Sequence, residues 1–190
     1  MREIQRCSWA GKDPIYCDYH DNEWGVAVHD DKKLFEMLIL EGFQAGLSWI
    51  TILKKRQAFR VAFANWDWCK VAQFSRDDIE RLMNDHGIVR NRRKIEGAVE
   101  NARLFEQVRL EFGSFDNYIW KFTDFKTKVP ENIPRTINEI PVTTAESDAM
   151  SKDLRKRGFK FVGSTICYSF MQAVGMVNDH MQNCFKAPLD

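Results

Sequence analysis

Cys7 and His20 stand near the start of this chain, and His180 and Cys184 near its end. Thiolate and imidazole are the usual ligands of structural zinc, and mixed Cys₂His₂ sites are common. The spacing His180-x-x-x-Cys184 puts two such atoms on one side of a helical turn or tight loop. Cys7 and His20 require a loop that folds back. A shared metal would tie the termini together; the alternative from spacing alone is two buried thiols and two surface histidines. Glu41 is a second chemical signal. It falls at the end of an apolar run, where the helix dipole disfavours a carboxylate. A pocket or a specific partner would account for it, and so would a solvent-facing helix end. Trp9, Tyr16, Tyr19, Trp24 and Trp49 flank it in sequence and could supply flat walls, or simply core. A carboxylate among aromatic rings suits a planar cation, because ring faces attract positive charge and the carboxylate attracts it in-plane.

A third signal is the run Lys156-Arg157-Gly158-Phe159-Lys160-Phe161-Val162-Gly163-Ser164-Thr165. Gly158 suits the left-handed position that ends a helix, and Gly163 with Ser164 opens the next. A helix start presents free N–H groups and a positive dipole end, which seat phosphate. Lys160 and its basic neighbours would reinforce such a seat. The other reading is an ordinary helix connection with a solvated basic rim.

Composition sets the frame. The chain has 190 residues, 44% hydrophobic and 13% aromatic, with six Trp and fourteen Phe. These totals fit a folded chain of one domain, or one domain with an appended lobe, not a disordered one. A net charge of +1 gives no global pull toward DNA or membrane, although Lys54-Lys55-Arg56, Arg90 to Lys94 and Arg155 to Lys160 are locally basic. Five cysteines without a compact framework, no apolar leader and no membrane-length run point to a cytoplasmic or nuclear compartment with reduced thiols. Cys17, Cys69 and Cys167 have no paired ligand nearby and read as packing residues.

Helical periodicity dominates, and the expected fold is all-α. Asp30 or Asp31 caps a helix to about Glu41, with Gly42 and Gly46 bracketing a break. Ser48 caps a second helix bearing Ile52, Phe59 and Phe63. Ser75 starts a third that ends near Gly87. A fourth runs from about Arg92 to Glu111, with Gly113 beyond it. Ser114 opens a short aromatic helix. The stretch 127–143, with Pro130, Pro134 and Pro141, is irregular. Helices return over about 145–157 and 163–174. No period-two alternation predicts a sheet, and the first 29 residues resist assignment.

With these runs in view, the chain resembles the DNA-3-methyladenine glycosylase I family of the helix-hairpin-helix DNA glycosylase superfamily. The resemblance extends from Cys7 to Cys184. It is carried by Tyr19-His20-Asp21-Asn22-Glu23-Trp24-Gly25, Gln44-Ala45-Gly46-Leu47-Ser48-Trp49-Ile50-Thr51, the glycine-bearing hairpin, Cys167-Tyr168-Ser169-Phe170-Met171-Gln172-Ala173 and Val177-Asn178-Asp179-His180. It implies one glycosylase unit over 1–190: a terminal lobe of about 1–29 plus 175–190 clasped by zinc, and a helical body of about 30–174 with a hairpin near 156–165. By it, Cys7, His20, His180 and Cys184 hold one structural Zn²⁺. Glu41 becomes the catalytic, base-recognising carboxylate, with Trp49, Tyr16, Tyr19 and Trp9 as pocket walls. Gly46 and Leu47 become a wedge, and Gly158, Lys160, Gly163, Ser164 and Thr165 the DNA anchor. The implied reaction is hydrolysis of the N-glycosidic bond of 3-methyladenine in alkylated duplex DNA by a monomer. It leaves an abasic site and frees the base, with no membrane role. Thr165 falls where lyase relatives carry lysine, so no Schiff base is expected. Asp179 adjoins a metal ligand and stays outside the catalytic set. The rival readings are a non-catalytic zinc-stabilised reader of damaged DNA and a protein-interaction domain.

Overall fold

A computed structural model describes residues 4–188. Among them the architecture is helical throughout; the β-type pairing present is an isolated parallel bridge between Lys128 and Val177. The α-helices are α1 (Pro14–Asn22), α2 (Asp31–Gln44), α3 (Trp49–Ala62), α4 (Trp68–Val71), α5 (Arg76–Met83), α6 (Arg92–Phe112), α7 (Phe115–Ile119), α8 (Ala145–Lys156) and α9 (Ser164–Ala173). Starts follow side-chain capping. Asp13, Asp30, Asp67, Asn91 and Ser114 each accept a backbone N–H from the first turn, and Ser75 and Thr144 form capping boxes. Gly113 ends α6 in the left-handed conformation.

α2 is the central rod, with every residue from Leu34 to Phe43 buried. The expected break at Gly42 is absent, and the helix runs on to Gln44. Gly42 is a contact residue instead: a Cβ there would meet the Cβ of Phe161 at 3.3 Å. Glu41 therefore sits inside the last turn rather than at an exposed end. Two other expectations also shift. α5 stops at Met83, four residues before Gly87, because Asn84 caps it and Asp85 turns the chain. Residues 14–22, left open by the sequence pattern, form a helix entered through Asp13 and Pro14. Of the three cysteines expected to pack, Cys167 is buried, Cys17 half-buried and Cys69 exposed.

Polar contacts lock the helices in register. Arg56 of α3 donates to both oxygens of Glu23, just past α1, at 2.7 and 2.8 Å, and to Glu36 of α2 at 2.8 Å. Burial pulls the Glu23 carboxyl up, but its bonds to Arg56 and Lys33 outweigh this and hold it at about 2. Lys94 of α6 is buried, and its ammonium donates to the carbonyls of Phe43 and Ala45 at 2.8 and 2.6 Å. It thereby satisfies open carbonyls at the end of α2.

The connection between α8 and α9 is seated on the rest of the fold. Phe161 adopts φ 55°, unusual for a non-glycine residue. Its ring lies over Gly97, where a Cβ would come within 3.0 Å. Asn101 of α6 accepts from the backbone N–H of Lys160 at 2.7 Å and donates to its carbonyl at 2.9 Å. Ser151 of α8 donates to the carbonyl of Val162 at 2.7 Å.

The chain ends meet across Gly175. It has φ +71°, and a Cβ there would stand 2.3 Å from the carbonyl carbon of Val26. Backbone bonds Gly25 N–H to Gln172 and Val28 N–H to Val174 run alongside. Gly175→Ala combines a left-handed φ with a collision against backbone, so we expect a loss of at least about 3 kcal/mol. That corresponds to a melting temperature lower by roughly 6–12 °C, readable by circular dichroism.

Candidate functional site

A cavity of about 350 Å³ opens where α1, α2, α3 and α9 converge. Glu41 lies in it, 3% exposed. Among the described residues no donor and no cation pairs with its carboxylate, and burial alone pushes its pKa up to about 8. Tyr16, Tyr19, Trp9, Trp24 and Trp49 form aromatic wall. Tyr19 and Trp49 lie 5.4 Å apart between ring centroids, Trp9 and Tyr16 5.1 Å, and Trp9 and Trp24 4.8 Å. The phenols of Tyr16 and Tyr19 are held above their usual range, first by burial and then by the charge of Glu41. Trp49 Nε1 is buried without a partner. The Arg56 clamp explains this assembly. By fixing the end of α1 to α2 and α3, it sets Tyr16 and Tyr19 of α1 against Glu41 of α2 and Trp49 of α3.

The structure thus places Glu41, Trp49, Tyr16, Tyr19 and Trp9 around one cavity. It adds walls that the sequence reading missed. Gln44 follows Glu41 by one turn, and Ile137, Ile140, Pro141 and Val142 of the proline-bearing segment also line the cavity. Thr165, Tyr168, Ser169 and Gln172 contribute one stripe of α9. Helical spacing could have grouped that stripe, but not aimed it. Thr165, expected as a DNA contact, is on the cavity rim through its place in the first turn of α9. Gly158 carries φ +100°, whereas Gly163 is an extended N-cap whose helix start lacks a side-chain cap. Lys160 is exposed on this connection, and Ser164 opens α9. Gly46, at φ +79°, and Leu47, 40% exposed, form the tip of the loop after α2, which Lys94 anchors.

Behind Trp9 and Trp24 stands the cysteine–histidine cluster. One ligand atom from each of Cys7, His20 and Cys184 lies within 4.8 Å of the others, all three residues buried. His180 stands beside this set rather than within it: its ring centroid is 5.1 Å from that of His20 and 4.6 Å from that of Trp24. Its Nδ1 meets Asn178 Oδ1 at 2.8 Å, while its Nε2 is buried and unpartnered. His20 Nδ1 meets Asp21 at 2.8 Å, and Asp21 in turn is gripped by Arg6. Each imidazole thus has Nδ1 engaged by an oxygen and Nε2 on its other side; that of His20 meets the Cys7 backbone N–H and Cys184 Sγ, each at 3.3 Å, and that of His180 is unpartnered. The thiol sulfurs of Cys7 and Cys184 accept backbone N–H bonds from Met181 and Lys186. Without a cation, burial pushes the Cys7 thiol up to about 12 and the His180 imidazole down to about 4. Two buried thiols and two imidazoles are the donor types that a structural metal takes, and three of these residues, Cys7, His20 and Cys184, stand close enough to share an ion.

An all-helical protein whose buried carboxylate faces a ring-lined cavity beside a glycine-bearing helix connection is built to receive a flat, positively charged ring. Comparison with known proteins agrees: a family model described as methyladenine glycosylase matches residues 9–187, and the chain belongs to that family. It is 52% identical over 185 residues to DNA-3-methyladenine glycosylase 1 of Escherichia coli K12, covering 97% of this chain and 98% of that one. It is 45% identical to a DNA-3-methyladenine glycosylase of Haemophilus influenzae, over 94% and 96%. A crystal structure of 3-methyladenine DNA glycosylase I superposes with a TM-score of 0.93 at 49% identity, covering 97% of this chain and all of that one. The enzyme from Staphylococcus aureus, solved to explain its recognition of 3-methyladenine, gives 0.92 at 36% identity and 98% coverage of both.

The lone carboxylate makes a stability prediction. Glu41 binds its proton more tightly folded, near 8, than unfolded, near 4.5. The folded state therefore holds more protons between these values, and stability falls as pH rises from about 4.5 to 8. Glu41→Gln removes that loss. We expect the variant to be more stable than wild type by on the order of 3 kcal/mol at pH 7, and equal to it near pH 4, in denaturant titrations.

Proposed function

We propose that this chain is a monofunctional DNA repair glycosylase that hydrolyses the N-glycosidic bond of 3-methyladenine in alkylated duplex DNA. The observation that carries this reading is Glu41, a buried carboxylate without a counter-charge in an aromatic cavity. Methylation at N3 gives the adenine a positive charge and weakens its bond to deoxyribose. The lesion is then both the cation the cavity lacks and a base ready to leave as a neutral molecule. Little acid catalysis is required. The chain must extrude the nucleotide, hold the base and admit water to C1′.

In this reading the rings of Trp49, Tyr16, Tyr19 and Trp9 stack on the flipped base, each contact worth about 1–3 kcal/mol. Glu41 accepts from its donors. Neutral adenine would desolvate the same carboxylate without the Coulombic return. Leu47, exposed beside Gly46, fills the gap left in the duplex. The connection from Gly158 to Thr165 is a helix-hairpin-helix element: the uncapped start of α9 and Lys160 grip a phosphate. Cys7, His20, His180 and Cys184 would hold one structural Zn²⁺, and four protein ligands would give it a cross-linking role between the chain ends rather than a catalytic one. The protein works as a monomer in the cytoplasm, and no helix among the described residues is long and apolar enough to cross a membrane.

Four results test this reading. Incubation with methylated duplex DNA releases 3-methyladenine, identified by chromatography, and leaves the strand unnicked until alkali is added; borohydride traps no adduct. Glu41→Gln keeps its fold and loses at least about 10-fold in kcat/KM, since it gives up a charge-assisted bond. For wild type, kcat/KM rises with pH toward about 8, as Glu41 of the free enzyme loses its proton, and the variant's profile is flat there. Cys184→Ser loses the zinc measured by atomic emission and at least about 5 °C of melting temperature, yet keeps its preference for 3-methyladenine. Unchanged stability with abolished excision would place the metal in the chemistry instead.

A further inference from the structure

On the α9 wall of the cavity, Gln172 stands one turn beyond Tyr168. Its Nε2 donates to Asp179 Oδ2 at 2.7 Å, and the Tyr168 hydroxyl donates to the same oxygen at 2.5 Å. Asp179 is 1% exposed, so this is a buried three-residue network behind the wall. A carboxylate accepts and cannot donate, so the amide must turn its nitrogen toward Asp179. Its other branch, Oε1, then faces away from Asp179. Among the described residues no donor meets Oε1, and Gln172 is only half-buried where it lines the cavity.

We propose that Gln172 is a specificity-determining residue for the cationic base, and that Asp179 is the positioning residue that makes it an acceptor. This rests on the reading of the cavity as a 3-methyladenine site. An amide free to flip would present its NH₂ group to the base part of the time, and that group repels a cation. Committing Nε2 to Asp179 turns Oε1 of Gln172 away from that carboxylate, beside the lone pairs of Tyr168 and the rotatable hydroxyls of Thr165 and Ser169, which can turn to accept. A positively charged purine with an exocyclic amino group then meets an acceptor here as well as Glu41. Asp179 acts through the amide rather than by touching the base.

The test measures single-turnover excision on 3-methyladenine duplex DNA alongside melting temperature and zinc content. Gln172→Met keeps the length of the side chain and loses the acceptor; kcat/KM should fall about 10- to 100-fold with zinc retained. Asp179→Ala should fall by a similar factor. The double variant should be no worse than the poorer single one within about threefold, because both remove one interaction. Asp179→Asn should rescue most of the loss, since its amide oxygen can accept both bonds. A general structural role for Asp179 would give additive losses and no such rescue. The proposal is overturned by Gln172→Met excising at the wild-type rate, by additive losses, or by Asp179→Asn as impaired as Asp179→Ala. An active wild type beside an unimpaired Gln172→Met sinks this inference alone; a wild type that releases no 3-methyladenine sinks the preceding reading with it.

Discussion

A carboxylate has been taken out of water and given nothing in exchange. Glu41 lies in the last turn of a helix that is otherwise core, and no donor or cation among the described residues meets it. Such a group is unfavourable when ionised, and the fold tolerates it because neighbouring contacts over-determine its position. Lys94 fastens the end of α2 through two carbonyls, Arg56 joins three helices through Glu23 and Glu36, and Phe161 presses on Gly42. Electrostatic strain kept in this way would be relieved by a cation of the right shape. Affinity and selectivity for charge then share one origin.

The cavity depends on both ends of the chain. Trp9 and Trp24 face the base cavity on one side and the cysteine–histidine cluster on the other, with Trp24 packed edge-on to His180. Gly175 lets the chain after α9 run against Val26 and Ala27, closer than any side chain would allow. Of the residues that resist assignment by periodicity, 4–29 are thus defined by contacts far along the sequence. The contacts of Trp9 with His20 and of Trp24 with His180 seat the aromatic wall against both chain ends.

α9 couples two jobs. Its uncapped start belongs to the connection that Asn101 and Ser151 hold in place, and its inner stripe belongs to the cavity. A nucleotide gripped at the helix start and a base inserted beside Thr165, Tyr168 and Gln172 would be positioned by one rigid element. Rigid placement of this kind reduces the ordering needed when substrate binds.

The sequence by itself determined most of the helices, because capping residues and apolar spacing are local properties. Asp30, Ser75 and Ser114 mark starts that the fold keeps. It also marked the chemistry-bearing residues, since Glu41 in an apolar run and distant Cys–His pairs are conspicuous in one dimension. Tertiary structure decided what they do together. Gly42 reads locally as a helix breaker and proved to be a contact point, because the partner that needs its missing Cβ, Phe161, lies far away in sequence. Likewise the rise of Glu41 to about 8, the unpaired Nε2 of His180 and the orientation of the Gln172 amide come from surroundings assembled by several elements. Desolvation and hydrogen-bond pairing depend on distance in space, and local spacing does not encode that distance.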